Sequence, residues 1–74
     1  MKATEAVREV MKEQEVGVNK MAARLDKPSR QISERLSQTN ISIAKLTEML
    51  RVLDYKVVIV PRNASLPKGG YEIE

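Results

Sequence analysis

The run Tyr55-Lys56-Val57-Val58-Ile59-Val60, closed by Pro61, sets the tightest limit on how this 74-residue chain can fold. β-Branched and aromatic residues in an unbroken stretch favour a strand. The apolar residues before it recur at helical spacing, so the strand has no clear partner in its own chain. An uncovered apolar edge also invites aggregation. Pairing with the same strand of a second copy, antiparallel across a two-fold axis, answers both difficulties. Size points the same way. Below about 70–80 residues a single core rarely supplies more than about 3–5 kcal/mol, and small folds add a staple. The chain has no Cys and no His, so disulfides and thiolate or imidazole metal sites are excluded, and association between copies remains.

The same absences narrow the function. Without Cys and His there is no thiolate nucleophile, no Ser-His or Cys-His pair and no zinc-type site. Two Tyr are the only aromatic residues, so the core is aliphatic. No apolar run approaches the roughly 18 residues of a membrane span, and no secretory signal opens the sequence. Met11, Met21 and Met49 fall on apolar faces and are core filler. Glu9 and Glu13 lie one turn apart among basic residues and carry no acid–base chemistry. A soluble intracellular non-enzyme without cofactor or metal is expected.

Four helical patterns precede the strand. Ala3, Ala6, Val7, Val10 and Met11 make one stripe over 3–15, with Gly17 as the natural stop. Met21, Ala22 and Leu25 make a second over 18–26, with Asn19 as N-cap. Asp26-Lys27-Pro28-Ser29 then breaks the pattern. Asp tolerates left-handed backbone, and Pro suits the first turn of a new helix. The third helix, about 28–37, is apolar chiefly at Ile32 and Leu36 and presents Arg, Gln and Ser outward. After the polar loop Gln38-Thr39-Asn40, Ser42 caps a fourth helix over 43–53, with Ile43, Leu46, Leu50 and Leu53 as its stripe and Asp54 at its end. The remainder around Pro67 and Gly69-Gly70 is loop-like, with Tyr71–Glu74 a candidate second strand.

The formal net charge is +3, and it is unevenly placed. Residues 17–38 carry Lys20, Arg24, Lys27, Arg30 and Arg35 against Asp26 and Glu34, which equals the whole excess. A local basic surface of this kind suits a polyanion. The plain alternative is a solvated face.

The stretch VNKMAARLDKPSRQISERL, residues 18–36, resembles the helix-turn-helix of the Cro/repressor-type (XRE-like) DNA-binding proteins. Ala22 matches the small residue where the two motif helices cross, Leu25 the closing aliphatic, and Ile32 the branched residue within the recognition helix. Asp26 stands where the family commonly has Gly, and Arg35 where it often has an apolar residue. The tail YKVVIVPR is similar to the dimerising C-terminal strand of short bacterial and phage members. The resemblance implies a mainly α fold: a small four-helix, lambda-repressor-like helix-turn-helix bundle over 1–54, with 55–74 as a dimerisation strand and tail.

In a helix-turn-helix the N-terminal half of the second helix faces the bases. Here that half offers Ser29, Arg30, Gln31, Ser33 and Glu34. The Arg30 fork fits guanine O6/N7, worth about 1–3 kcal/mol of discrimination. Gln31 suits adenine, Ser29 suits phosphate or base, and Glu34 orients Arg30 across one helical turn. Phosphates would be held by Asn19 and Lys20 at the start of the second helix and by Asn40, Ser42 and Lys45 at the start of the fourth. Arg35 and Gln38 would reach the backbone from the end of the recognition helix. Dimerisation falls to Tyr55, Val57, Val58, Ile59 and Val60. The expected function is a homodimeric, sequence-specific regulator of transcription, a repressor binding double-stranded palindromic operators in the cytoplasm of a bacterial or phage-infected cell. No small-molecule ligand is expected. The rival from another class is a protein-interaction module of the same fold that does not bind DNA.

Overall fold

Three of the four helices end in the same way, and that closure shapes the bundle. A computed structural model describes residues 1–74 and contains α1 (Ala3–Glu13), α2 (Val18–Leu25), α3 (Ser29–Leu36) and α4 (Ile43–Arg51). Past α1, Glu15 takes φ 56, past α2 Asp26 takes φ 54, and past α4 Asp54 takes φ 63. Each left-handed residue turns the chain so that the next amide reaches back into the last turn. Val16 N–H bonds Met11 O at 2.8 Å, Lys27 N–H bonds Ala22 O at 3.0 Å, and Tyr55 N–H bonds Leu50 O at 2.9 Å. Carbonyls that would otherwise be orphaned are thereby satisfied. Asp26 and Asp54 behave as the sequence suggests. Gly17 does not stop α1: Glu15 does, and Gly17 is the N-cap of α2 with φ −86. Asn19 consequently lies within the first turn of α2 rather than capping it.

Helix starts and remaining ends are held by side chains. Lys2 N–H donates to Glu5 Oε1 at 2.7 Å, and Ser42 Oγ accepts from Lys45 N–H at 3.2 Å. Arg8 Nη2 donates to Leu36 O at 3.3 Å at the end of α3. At the end of α4, Arg24 Nη1 donates to Val52 O at 3.0 Å and Gln14 Nε2 to Leu53 O at 2.8 Å. Two arginines that raise the basic charge of the sequence are thus occupied as helix caps, where a cation also suits the negative dipole end.

The core is aliphatic and sulfur-rich. Val7, Val10, Met21, Ile32, Met49 and Leu53 are almost wholly shielded from water. α2 and α3 lie against one another, α1 contacts both α3 and α4, and α4 also touches α2. Ile43 departs from its expected place: although in register with Leu46 and Leu50, it stands 66% exposed, because the first turn of α4 extends beyond the bundle.

The C-terminal strand is not formed in the single chain. Residues 55–60 lie outside any helix or strand, and no backbone group of Lys56–Val60 takes part in a backbone hydrogen bond. The physical reason is the one that made the run conspicuous: a ladder needs a second strand, and this chain supplies none. Nor is Tyr71–Glu74 a strand beside it. Tyr71 packs on the core and its hydroxyl donates to Glu13 at the end of α1, while Glu74 N–H donates to Met1 O at 3.0 Å beside its start, so the segment folds back along α1 instead. No helix is long and apolar enough to cross a membrane.

Candidate nucleic-acid interface

The α2–turn–α3 unit exposes a polar face because α3 has few apolar residues to spend. Ile32 and Leu36 are buried, which fixes the rotation of α3 and turns Arg30, Ser33 and Glu34 to solvent. The Arg30 side chain is 90% exposed, with Nε 3.3 Å from Glu34 Oε1 across one turn. This is the orienting contact that the spacing implied. Exposed pairs of this kind contribute about 0.3–0.5 kcal/mol, so Glu34 biases the guanidinium without locking it.

Ser29 and Asn19 meet. Ser29 Oγ donates to Asn19 Oδ1 at 2.6 Å, tying the first turn of α3 to the first turn of α2. The two residues expected to act separately form one polar unit, and the Asn19 side-chain amide N–H groups keep their donor capacity. Lys20, on the neighbouring position of α2, is exposed.

Between α3 and the start of α4 lies an open depression of about 400 Å³, lined by Arg30, Gln31, Glu34, Arg35, Gln38 and Lys45, with the Pro28 ring as its one apolar side chain. Gln31 and Gln38 are half-buried at its margins and Lys45 is exposed. Gln38 is held through its carbonyl, which accepts from the buried Thr4 hydroxyl at 3.1 Å, leaving its side chain free. Asn40 and Ser42 are exposed just beyond it, at the N-terminal end of α4.

Arg35 corrects the sequence reading. It is not a free cation at the end of α3: its side chain is only 7% exposed, and Nη1 lies 2.5 Å from Glu48 Oε1 on α4. Its Nε is buried without a hydrogen-bond partner. Arg35 lies three positions after Ile32, on the buried side of α3, so it fills a position where an apolar residue would fit. Glu48 is held below the ordinary carboxylate range, first by the hydrogen bond from Arg35 and further by the charges of Lys27, Arg35 and Arg51. The spacing of α4 sets Glu48 with Lys45 and Arg51 on the side opposite the apolar stripe, and nothing local in the sequence marks it as the partner of Arg35.

The basic excess of residues 17–38 is therefore largely engaged: Arg24 caps α4, Arg35 pairs with Glu48 and Arg30 leans on Glu34. Of that stretch Lys20, exposed, and Lys27, half-buried, remain unpaired, and Lys45 adds an unpaired exposed cation at the depression. Val57, Val58, Ile59 and Val60 are all exposed, Ile59 at 99%, whereas Tyr55 packs against the core. No cluster of acidic side chains suited to a metal ion is present. Comparison with known proteins brings no further constraint: no family model matches this chain, and neither a curated protein nor a solved structure does.

Proposed function

We propose that this chain is a homodimeric, sequence-specific DNA-binding regulator of transcription, a repressor of palindromic operators, built like the Cro/repressor-type (XRE-like) helix-turn-helix proteins it resembles. The observation that carries the reading is the polar face of α3. Arg30 projects to solvent at the front of a short helix backed by α2, next to a largely polar depression that ends at the N-terminus of α4. Arg30 takes the base-reading role, with Glu34 limiting its orientations and Gln31 and Ser33 beside it. Asn19, Ser29, Lys20, Gln38, Asn40, Ser42 and Lys45 position phosphates. Arg35 belongs to the scaffold. Two copies joined through Tyr55–Val60 would set two α3 helices into successive major grooves about 34–36 Å apart. Occupying promoter DNA represses without a cofactor, in the cytoplasm of a bacterial or phage-infected cell.

One observation favours the rival, a protein-interaction module: intramolecular contacts engage Arg8, Arg24 and Arg35, which thins the positive footprint. Selection of bound fragments from a random duplex pool separates the two. A regulator enriches a palindrome with guanine at the Arg30 position, and Arg30→Ala loses preference there. An unenriched pool refutes the DNA reading.

A further inference from the structure

The dimer in the proposed function has a register that backbone bonding and charge determine. Lys56–Val60 has five consecutive residues whose N–H and C=O groups take part in no backbone bond. Its apolar side chains are exposed on both sides of the run. On either side the ladder is bounded. Tyr55 N–H is committed to Leu50 O at 2.9 Å, and Pro61 has no N–H to give.

A symmetric antiparallel pair with its two-fold axis perpendicular to the sheet keeps side chains of like parity on one face. The axis must then pass through a residue paired with itself: Val57, Val58 or Ile59. Hydrogen-bonded and non-hydrogen-bonded pairs alternate along such a ladder. Centring on Val57 in hydrogen-bonded phase calls on the Tyr55 N–H, which is engaged. Centring on Ile59 in that phase calls on the absent N–H of Pro61. The other phase of the Val57 register sets Val60 against Asp54, whose N–H is committed to Arg51 O at 3.1 Å and whose φ of 63 is not that of a strand, so only the Lys56–Val58 pairs remain bonded. The other phase of the Ile59 register sets Lys56 against Arg62, a like-charge opposition that destabilises a pair. Centring on Val58 in hydrogen-bonded phase, with the ladder ending at Tyr55 and Pro61, avoids these conflicts. Tyr55 then faces Pro61 in a non-hydrogen-bonded pair, which asks neither for an N–H. Lys56, Val58 and Val60 supply roughly six inter-strand bonds. One face is wholly apolar, made of Tyr55, Val57, Ile59 and Pro61, and Tyr55 already rests on the core.

We propose that a second copy of this chain pairs with Tyr55–Pro61 in an antiparallel ladder whose two-fold axis passes through the hydrogen-bonded pair of Val58 residues. This rests on the dimeric part of the proposed function, not on DNA binding. Because the chain has no cysteine, introduced thiols report the register directly. In the Val58 register residue 57 faces residue 59 of the partner in a non-hydrogen-bonded pair, with Cα atoms about 4.5 Å apart, inside the range a disulfide spans.

The experiment co-refolds full-length Val57→Cys with Ile59→Cys and oxidises the mixture beside each variant alone, with sedimentation of all species. Both substituted side chains are exposed, so the bundle tolerates the changes. The expected result is a covalent dimer that joins one variant to the other, in large excess over either variant with itself. Efficient self-linkage of Val57→Cys moves the axis to Val57 and overturns the register, as does self-linkage of Ile59→Cys. A dimer by sedimentation that never cross-links places the contact on another surface and overturns the ladder while sparing the dimer. A monomer at every concentration tested overturns the dimer itself.

Discussion

Replacing Arg35 with Met should make the protein more stable while leaving its DNA affinity nearly unchanged. The guanidinium is buried, it has one carboxylate partner at 2.5 Å, and its Nε has none. An unsatisfied buried donor costs about 1–3 kcal/mol. Exchanging a buried ion pair for apolar packing of similar volume ranges from neutral to about 4 kcal/mol stabilising. Met keeps most of the arginine stem, and Glu48, already 41% exposed, is left facing water. The expected gain is therefore near the low end, about 1 kcal/mol, or a rise of about 4–8 °C in Tm for a domain this size. Glu48→Gln acts in the opposite direction, because it leaves the buried guanidinium without its counter-charge. Acid sharpens the contrast. The folded pKa of Glu48 is depressed, so the pair's stabilisation is complete above the unfolded value of about 4.3 and is lost as pH falls through the folded value. Arg35→Met has no such component to lose, so its advantage should widen below pH 4. Thermal unfolding of the three proteins by circular dichroism, from pH 3 to pH 7, measures all of this. A Tm for Arg35→Met that drops as far as that of Glu48→Gln would refute the argument. A tenfold loss of DNA affinity in Arg35→Met would return Arg35 to the interface.

Two further outcomes follow from the packing. Glu15→Gly should raise the urea midpoint, since the left-handed conformation costs an L-residue about 1–2 kcal/mol and the entropy loss of Gly offsets about 0.5–1 kcal/mol of that gain; a lower midpoint would mean that the Glu15 side chain contributes something its φ does not reveal. Met49→Ala removes a fully buried side chain at a cost of about 2–5 kcal/mol, comparable to everything a core of this size supplies, so the variant should be largely unfolded at 25 °C and show no cooperative transition on heating. Retention of a sharp transition would show that stability comes from elsewhere.

Local chemistry was legible in the sequence; contacts between distant residues were not. Asp26 and Asp54 announce their left-handed backbone, because Asp is one of the few residues that adopt it easily. Glu15 gives no such signal, and Gly17 two residues later offers a more plausible stop. Ser42 as a cap and the Arg30–Glu34 turn both follow from short spacings. Arg35 was misread because residue type outweighed position: three residues after Ile32 lies the buried side of α3, and only the facing Glu48 makes a charge tolerable there. Ile43 obeys the stripe of α4 yet escapes burial, since periodicity specifies a face and not how far the neighbouring helices extend. The roles of Arg8, Arg24 and Gln14 as caps on other helices depend on tertiary placement that no local pattern encodes.

The central claim is that α3 and its flanking lysines form a DNA-binding surface. Its most direct test is the salt dependence of binding to a selected duplex, followed by fluorescence anisotropy for the unaltered protein, Arg30→Ala and Lys20→Ala. Each neutralised phosphate contributes a slope of roughly −0.9 in log K against log salt. Lys20 and Lys45 in two copies thus predict a slope of roughly −3 to −4. Lys20→Ala should flatten it by about 2, while Arg30→Ala should lose about 1–3 kcal/mol of discrimination and approach non-specific affinity. Absence of binding at low salt, or a slope near zero with Arg30→Ala indistinguishable from the unaltered protein, would contradict the account.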